Sequence, residues 1–255
     1  MDNYIRFYKE VGKKLPEEYI TYSHPGARIR ERFIKDNLKE FQGTILDIGC
    51  GSGRLTEDRK VVGIDLSLEK LSRAKKRNKK GAFILGDIEG PLFIKENSFQ
   101  SVLLSEVLEH LRSYNDTMKK IFSLMKPGGK ILITTPHQLR KKIEFFSTDL
   151  LKSFGIEKGI TGVKYIHRNF SKKELETILK KAGLRILEIG TIENELRGWG
   201  KIALILRKFS RIYLKISRCY LNSVYNFLSD TGLIKIQKML FKEGVRLFAI
   251  AEKPK

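Results

Sequence analysis

The chain has 255 residues, 41% of them apolar and 31% charged, which are the values of one globular domain with insertions and not of a disordered segment. Lys and Arg outnumber Asp and Glu by 50 to 29, and the resulting +21 points to an anionic partner: nucleic acid, an acidic lipid surface or a phosphorylated substrate. Two cysteines exclude a disulfide framework and fit a reducing cytoplasm, and the absence of an apolar h-region or an uncharged apolar run of about 18 residues argues against a signal peptide or a conventional membrane span.

Residues 27–38 carry a helical charge mix whose start is punctuated by Pro25-Gly26, and Tyr4, Phe7, Tyr8, Tyr19 and Tyr22 before them suggest a cap packed over a cleft. Ile45, Leu46 and Ile48 form the short apolar run of a buried parallel strand, followed by Gly49, Gly51 and Gly53 in alternation. Glycine admits positive φ and lets a ligand come close to the backbone, while Ser52 is placed to cap a helix whose first N–H groups suit an anionic or polar ligand. Asp47, inside the apolar run, needs donors if buried. A second run, 61–66, ends in Asp65-Leu66, and a carboxylate at that strand tip beside the glycine turn is placed to accept both hydroxyls of a ribose.

Residues 67–78 read as a helix capped by Ser67, whose basic end complements the helix dipole as a solvated face. Strands are expected at 82–85, 101–105 and 130–135, and an amphipathic helix at 114–125 is stopped by Pro127-Gly128-Gly129. After the fourth strand come Glu106, Glu109 and His110. On one helical turn they would share a face at spacings of three and four, an arrangement able to hold a divalent cation such as Mg²⁺. His137 follows the fifth strand as a loop residue, a general base or a further ligand. Residues 138–168 exceed the usual loop length and suggest a substrate-covering segment. His167 either points into the cleft or packs beside the capping box that runs from Ser171 to Glu174.

The last strands are expected at 184–189 and 245–251. Between them, Ile202, Ile205, Phe209, Ile212, Ile216 and Phe227 belong to an apolar stripe at three- and four-residue steps, with Lys201, Lys208, Arg211, Lys215 and Arg218 opposite. At 1.5 Å per residue such a helix would run about 40 Å. Three uses compete: a membrane-interface helix with Trp199 as anchor, an oligomer interface or lid, and a nucleic-acid groove. The groove is the weakest, because the aromatics lie in the apolar stripe and not among the cations.

Five stretches in order, ILDIGCGSGRL, VVGIDLS, GDIEG, SVLLSEVLEHL and KPGGKILITTP, resemble the motifs of class I S-adenosylmethionine-dependent methyltransferases. The dinucleotide-binding alternative lacks its Gly-x-Gly-x-x-Gly spacing. The resemblance implies an α/β fold: a doubly wound, seven-stranded, mostly parallel Rossmann-like sheet with an antiparallel last strand and a helical insertion before it. The expected divisions are a helical cap at 1–42, the core at 43–191, the amphipathic insertion at 192–243 and the last core strand at 244–255. Only sixteen positions separate Gly49 from Asp65, fewer than is usual in the family, so the first helix should be short.

What the likeness implies about residues is specific. Asp47, Gly49, Cys50, Gly51 and Gly53 would hold the methionine end of S-adenosylmethionine, Asp65 and Leu66 the ribose, and Asp87 and Ile88 the adenine. Ser105 and Glu106 would line the floor, Arg30 or Arg28 would meet the methionine carboxylate, and His110 would place or deprotonate the acceptor. Ubiquinone-biosynthesis O-methyltransferases, a type this chain resembles, and small-RNA 3′-end methyltransferases share the Glu-x-x-Glu-His stretch. In them it binds metal, through the positions matched by Glu106, Glu109 and His110, whereas other members carry Glu-His without one. The expected reaction is O-methylation of a hydrophobic or membrane-associated small molecule. RNA 2′-O-methylation and a non-catalytic, membrane-associated cofactor-binding scaffold are the alternatives. No Asn/Asp-Pro-Pro-Tyr follows the fourth strand and no Pro-Cys nucleophile occurs, which argues against DNA amine and cytosine C5 chemistry.

Overall fold

The strand ahead of the glycine turn, β1 (Ile45–Ile48), is buried at all four residues, as a central parallel strand covered on both faces must be. The computed structural model describes residues 3–14, 25–139, 141–147, 164–196, 225–226, 230 and 241–255. Around β1 the chain lays down β2 (Val61–Asp65), β3 (Ala82–Leu85), β4 (Phe99–Ser105), β5 (Met125–Pro136), β8 (Arg185–Ile192) and β9 (Arg246–Glu252). They form one seven-stranded sheet in the order β3-β2-β1-β4-β5-β9-β8. Its first five strands are parallel, and β9 runs antiparallel to both neighbours. This is the Rossmann-like methyltransferase architecture that the motif order implies, and its strand reversal on either side of β1 opens a crevice at the carboxyl ends.

Side-chain alternation sorts the core into two layers. Ile45, Leu103 and Leu132 face helix α2 (Pro25–Leu38), packing on Ile34, Leu38 and Phe41. Leu46, Ile48, Val102, Leu104, Ile131 and Ile133 face the other way. Their layer includes Met118 and Ile121 of α4 (Tyr114–Leu124) and Leu175 and Leu179 of α5 (Lys172–Lys181). α5 opens on the capping box read in the sequence, with Ser171 Oγ accepting from Glu174 N and Glu174 Oε2 accepting from Ser171 N. Helix α3 (Leu68–Arg77) is capped by Ser67, also as read.

Several elements depart from expectation. The turn after β1 leads only into a 3-10 turn, Arg54–Thr56, whose cap residue is Gly53 at φ 72° and which has no side-chain cap. Ser52 is therefore no helix cap; it is buried, and its Oγ accepts from Arg77 Nη1 at 2.9 Å. The few residues between the turn and β2 leave room for no longer helix. β5 begins at Met125, directly after α4, because the Pro-Gly-Gly turn is folded into the strand with Gly128 at φ 72°. A helix the sequence reading did not define, α1 (Asn3–Lys14), packs on α3, where a Cβ on Gly12 would fall 2.0 Å from Ser67 Oγ. The 138–168 connection contains a small hairpin of β6 (Phe145–Ser147) and β7 (Lys164–Ile166). The stripe from Ile202 to Phe227 and Trp199 lie outside the described residues. Among the described residues, no helix is long and apolar enough to cross a membrane.

Candidate functional site

A cavity of about 420 Å³ opens at the carboxyl ends of β1, β2 and β4, roofed on one side by α1 and α2. The glycine turn forms part of its wall through Gly49, Cys50 and Gly51. The N–H groups of Gly49 and Cys50 donate to Ile64 O at 2.8 and 3.0 Å, which ties the turn to the end of β2. Gly49 sits at φ 68°, and a Cβ there would lie 2.4 Å from Val107 Cγ2, so this glycine answers to packing as well as to a ligand. Gly53, grouped with the others from sequence, instead faces Ala74 of α3, where an added Cβ would fall 3.0 Å from the Ala74 Cβ, and is not on the cavity wall. Its spacing matched the pattern, but the short 3-10 turn brings it against the helix.

Asp65 turns toward the cavity and is held by backbone donors. Gly51 N donates to Oδ2 and Ser67 N to Oδ1, each at 2.9 Å. Leu66 lies beside it on the wall. Asp47 is 2% exposed, accepts from Thr56 Oγ1 at 2.8 Å and is pushed up to about 7 by burial and by the Asp65 charge. Across the cavity, Asp87 and Ile88 leave β3; Asp87 Oδ1 accepts from Glu89 N and Oδ2 from Arg112 Nη2, both at 2.9 Å. Of the two arginines singled out in α2, Arg30 reaches the cavity wall, whereas Arg28 is exposed.

The stretch after β4 is organised differently from a helical turn. Glu106 sits at φ 55°, and the 3-10 turn Leu108–His110 starts only beyond it. Glu106 and Glu109 consequently point to opposite faces of the sheet. Thr134 Oγ1 donates to Glu106 Oε1 and Thr135 Oγ1 to Glu109 Oε2, each at 3.2 Å, and consecutive strand residues face opposite ways. Of the three ligands grouped from sequence, Glu109 and His110 belong to the cluster of ligand-type atoms found among the described residues, and Glu106 does not. On the α2 side, Glu106 joins Arg246 Nε at 2.7 Å and Arg30 Nη1 at 3.5 Å, while Arg30 also reaches Glu193 at 2.7 Å. Burial opposes the Glu106 charge, but the two guanidinium groups prevail and bring it down to about 2. Ser105, at the tip of β4, shares a 3.0 Å hydrogen bond with Thr134 and lines the cavity.

On the other face, Glu109 gathers with His110 and His167, one ligand-type atom from each lying within 4.8 Å of the others. Burial, then the Glu106 charge, pushes Glu109 well above the ordinary carboxyl value. Burial lowers His110, and burial with the neighbouring His110 lowers His167 to about 4. His110 Nδ1 lies 3.0 Å from Ile166 O. A carbonyl only accepts, so Nδ1 carries the proton and Nε2 the lone pair. Phe7 stacks on Tyr165 at 4.9 Å, and Tyr8 meets the His110 ring edge-on at 5.8 Å, giving this end of the cavity an aromatic wall. His137 plays no part here; its Nδ1 is engaged with Gly244 O at 2.9 Å.

Sequence reading missed Arg246, Glu193 and Arg112. Arg246 and Glu193 lie far along the chain from Glu106, at the start of β9 and just past β8, and no local pattern marks them.

A family model described as a methyltransferase domain matches residues 26–189. The chain belongs to this family and carries a class I S-adenosylmethionine-dependent methyltransferase domain. It is similar to the mitochondrial ubiquinone biosynthesis O-methyltransferase of Rattus norvegicus, 29% identical over 203 residues that cover 69% of this chain and 57% of that protein. It is also similar to the ubiquinone biosynthesis O-methyltransferase of Nitrosococcus oceani, 28% identical over 167 residues, covering 62% and 70% respectively. The match thus spans little more than half of the rat protein. Among solved structures, the 1,6-didemethyltoxoflavin-N1-methyltransferase of Burkholderia thailandensis superposes with a TM-score of 0.58 at 14% identity, covering 98% of this chain and 90% of that one. A SAM-dependent methyltransferase of Thermotoga maritima gives 0.58 at 17% identity, covering 96% and 99%. At these identities the likeness is one of fold.

Proposed function

We propose that the protein O-methylates a hydrophobic, uncharged small molecule carrying a hydroxyl group, with His110 as general base. One observation carries this reading: His110, its Nδ1–H held by the Ile166 carbonyl and its Nε2 3.9 Å from Glu109 Oε1, lines the same cavity as the glycine turn and Asp65. The names of the similar ubiquinone-biosynthesis enzymes support oxygen as the acceptor atom. The aromatic wall of Phe7, Tyr8 and Tyr165 supports an apolar acceptor.

In this reading Asp65 receives the ribose hydroxyls, the Gly49–Gly51 turn with Asp47 holds the methionine end, and Asp87 and Ile88 hold the adenine. Arg30, already paired with Glu193, would bind the methionine carboxylate, and Ser105 and Glu106 would floor the site. Bound S-adenosylmethionine supplies a methyl group that its sulfonium makes electrophilic. The chain's own task is to align the acceptor oxygen in line with that methyl and remove its proton. His110 Nε2 takes the proton as the new oxygen–carbon bond forms, and the Nδ1–H bond to Ile166 favours the resulting imidazolium. The site withholds the base's charge until then, because burial keeps His110 neutral. The +21 net charge supports work at an anionic membrane surface, from which such an acceptor would come.

A second reading concerns the same imidazole. The Glu109, His110 and His167 cluster has the donor set for a divalent cation, one carboxylate and two neutral imidazoles. His110 Nε2 would then ligate the cation and could not also serve as base. Labelled methyl transfer to phenols and to matched amines, before and after dialysis against a chelator, separates these possibilities. Phenol activity that survives the chelator supports the base, and activity restored only by Mg²⁺ or Zn²⁺ supports the cation. Transfer to amines alone would remove the O-methylation reading. Asp65→Ala should abolish cofactor binding by calorimetry, and unchanged affinity would remove the ribose assignment.

A further inference from the structure

We infer that Arg112, which does not itself line the cavity, is a positioning residue that aims the Asp87 carboxylate at the adenine and thereby sets selectivity for its 6-amino group. This rests on the assignment of Asp87 to the adenine made above. Arg112 leaves the turn immediately after His110 and Leu111 and reaches back across the sheet end to the loop after β3. Its Nη2 binds Asp87 Oδ2 at 2.9 Å, and its Nε binds Glu89 Oε2 at 3.0 Å. The next residue adds a backbone tie, Ser113 N to Glu89 Oε1 at 2.7 Å. Lys120 of α4 closes the loop from below, donating to the carbonyls of Ile88 and Gly90. Asp87 and Glu89 have side-chain exposures of only 14% and 7%, whereas Arg112, which reaches them from outside, is 39% exposed.

The electrostatics make Arg112 necessary for the aim of Asp87. Two carboxylates lie against a single guanidinium that offsets both charges, and the Lys120 ammonium adds attraction on Asp87. Without Arg112, two like charges remain side by side. One of them must then turn toward solvent. Asp87 lines the cavity and its Oδ1 accepts from Glu89 N, so a swing of either acid re-aims the Asp87 carboxylate there. The same short stretch that supplies His110 to the acceptor end therefore fixes the hydrogen-bond acceptor at the adenine end.

The test compares S-adenosylhomocysteine with S-inosylhomocysteine, whose 6-oxo group can only accept. Calorimetry on the full chain should show wild type preferring the adenosyl ligand by about ten- to hundredfold, as expected for a hydrogen bond to a charged group. Arg112→Ala should lose most of that preference, weakening the adenosyl ligand far more than the inosyl one. Asp87→Asn should lose it too, since an amide can donate to the 6-oxo group. Arg112→Lys keeps the charge but cannot span two carboxylates, and should fall between wild type and Arg112→Ala. It also serves if ligand-free melting shows that the alanine variant does not fold. Equal weakening of both ligands in the Arg112 variants, with Asp87→Asn unselective, would mean a merely structural role and overturn the inference while leaving the adenine assignment in place. Wild-type selectivity retained by Asp87→Asn would remove that assignment and this inference with it.

Discussion

Replacing Glu106 by glutamine tests whether the cluster at the end of β4 holds a true carboxylate. Glu106 is fixed by Arg246 Nε at 2.7 Å and Arg30 Nη1 at 3.5 Å. Burial works against its charge, yet the two cations take it from 4.5 to about 2. At about 1.4 kcal/mol per pH decade, that difference makes the ionised side chain worth about 3 kcal/mol of stability at neutral pH. The folded-state value is the depressed one, so this contribution is complete above about pH 4.5 and drains away as the pH falls toward 2. Glutamine preserves the shape and can still accept from Arg246, but it leaves two largely buried guanidinium groups with Glu193 as their remaining acid. Urea unfolding of wild type and E106Q should therefore differ by about 3 kcal/mol at pH 7, and by about half of that at pH 3. A difference of the same size at both pH values would refute the reasoning, because it would mean that packing alone distinguishes the two side chains.

Three further outcomes follow from the same geometry. Gly49→Ala combines a left-handed φ with a Cβ placed 2.4 Å from Val107 Cγ2. It should cost about 1–2 kcal/mol for the backbone and about 1–3 kcal/mol for the overlap. Adding Val107→Ala should recover only the second share in denaturant titrations, and full recovery would contradict the backbone argument. Initial rates of methyl transfer should fall as the pH drops through a value below 6.5, where His110 gains a proton and can no longer accept one. His110→Asn should be slower by about 10²–10⁴-fold and lack that inflection; a retained inflection would assign it to another group. Ser171→Ala, which removes the capping box of α5, should lower stability by about 1 kcal/mol in thermal melts, and no change would show the cap to be redundant.

The parts of this molecule that were legible in its sequence are those governed by neighbours along the chain. β3 was read at its full extent, and α3 and α5 were read to within a residue, because a short apolar run, a period-3.6 pattern and the Ser67 and Ser171 caps are local signals. The positions of Asp65 and Asp87 were legible for the same reason, each being the acid at or just past the end of an apolar run. What was not legible depended on backbone geometry or on distant partners. Glu106 and Glu109 stand three apart, the spacing of a shared helical face, but φ 55° at Glu106 breaks that relation. Gly53 fits the glycine pattern yet serves a helix contact with Ala74. Arg246 meets Glu106 across 140 positions of sequence, and Arg112 meets Asp87 across 25. Nothing near either arginine announces its partner.

The two threonines at the end of β5 sort the site. Thr134 takes one acid to the layer with the arginines, and Thr135 takes the other to the layer with the histidines. Strand parity decides which threonine each acid meets, so a single residue inserted between Gly129 and Thr134 would shift both by one place. Ile133 would then stand where Thr134 serves Glu106, which would lose its hydroxyl donor, while Thr134 would take the place of Thr135 beside Glu109. Length in this strand is thus under tighter constraint than the identity of most side chains along it, and an engineer grafting new acceptor chemistry onto this scaffold should alter the residues of β5 before altering their number.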